Sequence, residues 1–367
     1  MANTAQALPV EERDLDRNLE GFLRELRALG RELEEGLSQA DLDHAKKIER
    51  WGRMATAIGL ATAWIAPNPI SAVALSLGRS TRWIMMHHVG HKGYDKVPGV
   101  PPRYTSKVFA RGRRRFVDWA DWMIPEAWIY EHNVLHHANT GELKDPDLVE
   151  RNTEWMRKPG VPKALRYALV GVLGATWKMS YYAPSTLEAY RGRFEGAAGD
   201  ASMTSELLLK CYLPYAAIQF GLLPLAFLPL GPIASVNALL NSLMAELLTN
   251  LHTLLVVGPN HTGDDLHRFD SRPSSRAEYY VRQVLGSTNY VTGGVGGDLV
   301  DYAHLWLNYQ IEHHLYPDLP MSKYQEAQPR VRAICEKYGI PYVQESVFTR
   351  FEKFVDVIVG NAEMLRS

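Results

Sequence analysis

LLLKCYLPYAAIQFGLLPLAFLPL at 207–230, then Gly231-Pro232, then IASVNALLNSLMAELLTNLHTLLVV at 233–257, is the stretch that decides the fold. A helix that crosses a bilayer needs roughly 20 predominantly apolar residues. Two runs of that kind around a Gly-Pro break read as two spans and a tight turn. Lys210, near one end, can extend its charge to the interface.

Working outward, a weaker hairpin precedes it. Residues 52–66 read GRMATAIGLATAWIA and 70–86 read ISAVALSLGRSTRWIMM, with Pro67-Asn68-Pro69 between as a strong turn signal. Each half is short for a span, and Arg79 and Arg82 interrupt the second. A single crossing over 54–77 is the alternative. The turns at 67–69 and 229–234 carry no Lys or Arg, whereas the flanks hold Lys46, Lys47, Arg50, Arg53, Arg103, Arg111, Arg113, Arg114 and Arg115. The positive-inside rule then puts both termini and the segments between the hairpins on the cytoplasmic side.

Three histidine clusters fall next to these hairpins. They are His87-His88-Val89-Gly90-His91, His132-Asn133-Val134-Leu135-His136-His137 and Gln310-Ile311-Glu312-His313-His314. Residues three or four apart share a helix face, so His87 can align with His91 and His132 with His136. Imidazole is the commonest side-chain metal ligand. Eight histidines exceed the three or four ligands of a zinc site. Two redox metals suit them better, since imidazole also binds iron.

The remainder narrows the class. A net charge of −1 argues against a nucleic-acid partner, and Cys211 and Cys335 alone make neither a disulfide framework nor a cysteine-rich metal site. Residues 1–50 lack the apolar core of a signal peptide. Leu15, Leu19, Phe22, Leu23, Leu26, Leu29 and Leu33 recur there at helical spacing, as in an amphipathic helix packed on the rest of the chain. Residues 161–183 read as an interfacial helix, 185–205 as a polar cytosolic loop, 262–289 as a polar, charged cytosolic stretch, and 320–367 as soluble helices around Gly339-Ile340-Pro341. The run Gly293-Gly294-Val295-Gly296-Gly297 reads as a hinge, because no phosphate-loop context surrounds it. His44 and His267 read as surface or loop residues, and His252 as a partner for a neighbouring helix.

The three clusters, in this order and with hydrophobic hairpins between them, resemble the boxes of the membrane-bound fatty acid desaturases. The first matches His-x-x-x-His, the second His-x(2–3)-His-His, and the third the Gln-x-x-His-His form within LNYQIEHHLYPDLP. The likeness runs from about residue 50 to the end. It implies iron ligation by His87, His91, His132, His136, His137, His313 and His314. It also implies one more histidine after the last span, here His261 in Pro259-Asn260-His261. His88 is left out because it points about 100° away from His87 around a helix. Gln310 and His304 are possible additional ligands. Asp145, Asp147, Asp264 and Asp265 are candidates to orient ligating histidines. No further catalytic residue is expected beyond the metal centre.

The resulting expectation is an all-α fold: an integral membrane helical bundle of about four spans, at 52–66, 70–86, 207–230 and 233–257. Residues 1–50 form an N-terminal amphipathic cytosolic segment and 51–367 the desaturase domain. A cytosolic helical cap of 87–206 and 258–367 holds a histidine-rich di-iron site. The resemblance implies O₂-dependent desaturation of a fatty acyl group carried on lipid, coenzyme A or acyl carrier protein. Two electrons come from an external ferredoxin or cytochrome b5 with its reductase, since the chain shows no His-Pro-Gly-Gly of a fused cytochrome b5. Arg111, Arg113, Arg114 and Arg115 are candidates to dock that donor or anionic lipid. An acyl hydroxylase on the same scaffold is the first alternative, and a membrane metal transporter or sensor the second. The membrane is a bacterial inner membrane or the endoplasmic reticulum, with the active site on the cytoplasmic face.

Overall fold

The computed structural model describes residues 10–192, 201–292 and 297–367. The chain is mostly helical. Strands among the described residues are confined to two two-stranded parallel sheets, pairing His267–Arg268 with Leu365–Arg366 and Asn289–Tyr290 with Gln344–Glu345. These short ties, with an isolated bridge between Glu142 and Phe269, are the β-structure among the described residues. Most of the Gly293–Gly297 hinge lies outside the described residues.

Helix α1 (Val10–Glu35) buries Phe22, Leu26, Leu29 and Leu33 along one face. That face lies on the C-terminal helix Met321–Tyr338. The Tyr316 hydroxyl, just before that helix, donates to the Leu26 carbonyl at 2.8 Å. The amphipathic pattern therefore has its partner within the chain.

Helices α2 (Gln39–Ala63) and α3 (Pro69–Gly90) form the first hairpin. The Asn68 side chain caps α3 by accepting from the Ser71 amide at 2.7 Å, and Pro69 supplies a preset first turn. The two helices pack closely because glycine faces side chain. A Cβ on Gly52 would sit 2.5 Å from Thr81, and one on Gly78 2.1 Å from Thr56.

The second hairpin is α5 (Ser202–Leu230) and α6 (Pro232–Val257), after α4 (Lys163–Trp177). Among the described residues, only Ser202–Leu230 and Pro232–His261 are long and apolar enough to cross a membrane by length and composition. Helices α2 and α3 do not meet that measure. Asn241 of α6 ties the two hairpin turns together, donating to the carbonyls of Ala63 and Ala66 at 2.9 and 2.8 Å.

Arg79, read from sequence as an interruption, is satisfied inside the bundle. Its guanidinium donates to Glu246 and Gln219 at 3.0 Å and to the Ser242 hydroxyl at 2.6 Å. Trp122 and Tyr215 also donate to Glu246. A buried charge is tolerated when paired and hydrogen-bonded in this way.

Residues 161–183 form α4 and its continuation, with one face packed on α6, Leu165, Tyr167 and Val172 exposed on the other, and Lys178 buried against Asp121. Two further expectations change. Helix runs through Gly192 and resumes at Ala201, so the described ends of 185–205 are not loop. Arg115 is buried, donating to the carbonyls of Lys210, Asp121 and Met123, which removes it from any docking patch. At the C-terminus, Gly339 ends Met321–Tyr338 with φ +67°, a conformation glycine adopts without strain.

Candidate metal centre

The three boxes converge from three helices. His87 and His91 come from the last turn of α3, His313 and His314 from the short helix Gln310–Leu315. The second box lies on a π-helical turn, Tyr130–His136. Its wider winding, with the His137 amide bonded to the His132 carbonyl at 3.2 Å, stacks the His132 and His136 rings 5.1 Å apart and brings His137 alongside. Single π turns of this kind are frequent at functional sites.

Two groups of imidazoles result. The ligand atoms of His87, His91, His132 and His313 all lie within 4.8 Å of one another, and so do those of His136, His261 and His314. His137 sits between the groups, its ring 4.2 Å from His314 and 4.5 Å from His91. A third set, His132, His136 and Asp147, meets the same limit.

The donor set fits metal. Within the cluster, His91 Nε2, both nitrogens of His132 and His137, and His314 Nε2 are buried without a hydrogen-bond partner. Each such orphan costs about 1–3 kcal/mol unless something binds it. Four other ring nitrogens of the cluster, all Nδ1, are held. His136 Nδ1 is 2.8 Å from Asp145, and His261 Nδ1 is 2.8 Å from the Gly286 carbonyl. His313 Nδ1 is 3.1 Å from the Tyr324 hydroxyl, and His314 Nδ1 is 2.9 Å from Gln283. Bonds on Nδ1 leave Nε2 lone pairs turned inward, the usual arrangement around a ligated metal.

Electrostatics reinforce this. Burial, followed by repulsion among neighbouring imidazoles, holds His91, His132, His137, His313 and His314 well below the usual imidazole range, and His261 at about 3. They are neutral near pH 7, the state that donates to a metal. His136 is the exception: burial opposes its charged form, but Asp145 overcomes that and raises it.

The remaining sequence candidates separate clearly. Asp145 contacts His136 directly, and Asp147 lies 3.9 Å from the same nitrogen. Gln310 places Nε2 2.9 Å from His261 Nε2 and accepts from Asn260 at 3.1 Å. Asp264 and Asp265 stand apart, paired instead with Lys353 and, for Asp265, the buried Arg350. His304 also stands apart, with Nδ1 on the Val300 carbonyl at 2.8 Å. His88 belongs to neither group, although both its nitrogens are buried and unpartnered. His252 bonds the Ala303 carbonyl at 2.7 Å, as its helix position suggested. His44 is not a surface residue: its ring packs edge-on against Trp306 at 5.1 Å.

Sequence reasoning passed over Glu131, Thr140, Gln283 and Tyr324. Only Glu131, adjacent to box two, had a local signal. It is fully buried, and burial followed by Asp147 and Asp145 raises its carboxyl well above the usual range. Asp147 is raised to about 6, by burial first.

A cavity opens beside the imidazoles. His87, His132, His136 and His261 line one side, and Trp83, Leu173, Trp177, Leu254, Val257 and Phe354 the other. A mostly apolar chamber walled in part by imidazoles suits a hydrocarbon substrate.

A helical protein of this kind, with two convergent imidazole groups facing an apolar chamber, is built for chemistry on an apolar substrate. The Fatty acid desaturase family profile matches residues 62–346. The chain belongs to that family, whose members are membrane-associated oxidoreductases acting on fatty acyl chains. It is 24% identical to an NADPH-dependent stearoyl-CoA 9-desaturase of Mycobacterium tuberculosis, over 92% of this chain and 78% of that one. It is 23% identical to fatty acid desaturase 3 of Bos taurus, over 82% and 62% respectively. An acyl-lipid (7-3)-desaturase of Diacronema lutheri is 28% identical over 59% of this chain and 48% of its own.

Proposed function

We propose that this chain desaturates a fatty acyl group with O₂ at a di-iron centre on the cytoplasmic face of a membrane. The observation that carries the reading is the pair of buried imidazole groups on the wall of the apolar cavity. His87, His91, His132 and His313 would hold one iron, and His136, His261 and His314 the other, with His137 between them. Iron bound there would supply the one-electron chemistry with O₂ that an unactivated C–H bond requires.

The chain's own residues do the rest. Leu173, Leu254, Val257 and Phe354 exclude water and hold a methylene pair against the imidazole wall. Asp145 fixes the His136 ring. Burial, with Asp147 and Asp145 beside it, holds a proton on the Glu131 carboxyl next to that ring, where O₂ reduction to water consumes protons.

Four spans, α2, α3, α5 and α6, would carry the site. Large apolar side chains face outward along both hairpins, including Met54, Ile58, Ile65, Ile70, Leu222, Leu230 and Ile233, as a lipid-facing surface requires. Residues 1–50 would then be a cytosolic element packed on a desaturase domain of 51–367. The electron donor is a separate ferredoxin or cytochrome b5. The Mycobacterium relative's name favours a coenzyme A thioester as the acyl carrier.

The test is the fatty acid profile of a host expressing the wild type or His313→Ala, by gas chromatography and mass spectrometry. A new unsaturated acid only with the wild type supports desaturation and locates the bond. A hydroxylated product instead, or identical profiles with both proteins inserted and a donor supplied, would overturn it.

A further inference from the structure

A second groove lies on the opposite side of α3 from the catalytic cavity and shares no lining residue with it. Its upper part is a polar cup between α2, α3 and the segment 109–118. Arg53, Thr56, Thr81 and Arg82 line it, with Glu49 and Asp118 on its wall. Both carboxylates are already engaged. Glu49 accepts from Arg53 at 2.6 Å, from Arg103 and from the Tyr104 hydroxyl, and Asp118 from Arg114 at 2.9 Å. Arg82 is half-buried and forms no hydrogen bond or ion pair with any described residue. Arg53 pairs with Glu49, and Asp118 pairs with Arg114 outside the cup, which leaves Arg82 as the unpaired cation of its lining.

Below the cup runs an apolar arm, which shares Thr56, Gly78 and Arg82 with it. Leu60, Leu75, Ile218 and Leu223 line the arm. Its two polar neighbours, Arg79 and Gln219, are committed to the Glu246–Ser242 network. From Arg53 to Leu60 on α2, and from Arg82 to Leu75 on α3, the lining changes from cationic to apolar over about 10 Å. Gly78 lies at the join, where α3 packs closely on Thr56 of α2.

We propose that this groove binds one anionic phospholipid, with its phosphate on Arg82 and Arg53 and an acyl tail along the arm. A free phosphate would leave the arm empty, and a fatty acid would leave a cationic cup larger than a carboxylate needs. The direction also fits, because the cup lies toward the cytoplasmic ends of α2 and α3 and the arm toward their membrane turn. In this the inference rests on the four-span reading. The bound lipid fastens the first hairpin to the 109–118 segment and to α5, where the protein itself leaves Arg82 without a partner.

The test is native mass spectrometry of the delipidated, detergent-purified full chain titrated with dioleoyl phosphatidylglycerol. Wild type, Arg82→Gln and Ile218→Trp are compared, with iron content as the check on folding. One tightly retained lipid is expected in the wild type, with affinity lower by roughly tenfold in each variant, the loss of one charge-assisted contact or of tail room. Equal retention by wild type and both variants would overturn the site. Displacement of the lipid by glycerophosphoglycerol at equal concentration would also overturn it, as the mark of a plain phosphate site. Vesicle flotation separates this from the membrane reading. Wild type that fails to float with phosphatidylglycerol vesicles refutes the spans, whereas wild type that floats while Arg82→Gln keeps full lipid affinity refutes only the groove.

Discussion

His136 Nδ1 lies 2.8 Å from a carboxylate oxygen of Asp145, and both side chains are 1% exposed. The second Asp145 oxygen accepts from the Gly141 amide at 2.9 Å, so the carboxylate is fixed by the turn that follows box two. That fixes the His136 ring and turns Nε2 toward His261 and His314. Asp145→Asn should therefore lower iron affinity by about 10- to 100-fold while the chain still folds. Iron content after dialysis against a chelator measures it, and full retention would contradict the role.

Asp265 makes the opposite case. Burial alone would raise its carboxyl, but Arg350 and Lys353 overcome this and hold it below the usual range. The native state then binds the proton less tightly than the unfolded state. The contribution is present above the unfolded value of about 4 and is lost as pH falls through the lower folded value. Asp265→Asn should cost about 1 kcal/mol near neutral pH, discounted for partial exposure, and flatten the acid limb of a thermal-stability profile. Iron content should not change, and a loss of iron would return Asp265 to the metal site.

Glu246 carries the buried network around Arg79. Glu246→Ala leaves that guanidinium uncompensated and should destabilise the bundle by about 3–5 kcal/mol. Glu246→Gln keeps hydrogen-bonding capacity and should cost less. Unfolding midpoints in detergent compare the two, and equal midpoints for wild type and Glu246→Ala would refute the network's structural role.

Leu173 lines the cavity. Leu173→Trp fills part of the chamber and should displace a long acyl chain from the metal wall. Product formation should fall on the order of tenfold or more, with iron content unchanged. Wild-type turnover in this variant would put the substrate elsewhere.

The sequence made the boxes visible because imidazoles at i and i+4 are a local pattern. It could not show the π turn at Tyr130–His136, since no residue type marks that winding, and the turn is what brings His137 between the two groups. Asp145 and Asp265 looked alike as acids following a histidine. Only the fold separates them, because Arg350, the partner of Asp265, lies 85 positions away. Arg79 looked like a break in a span for the same reason, with Glu246 167 positions distant. His44 looked solvated beside Asp43 and Lys46, yet the Trp306 ring covers it. The apolar hairpin at 207–257 was plain because its signal is continuous. The first hairpin was obscured because its packing relies on glycines and buried polar groups rather than on hydropathy.

The most direct test of the di-iron reading is the metal stoichiometry of the purified chain. Elemental analysis after anaerobic iron loading, with Mössbauer spectra of the same sample, should give two irons per chain in a nitrogen-rich environment, and markedly less in His314→Ala. A single iron per chain, or zinc retained in preference to iron, would contradict it.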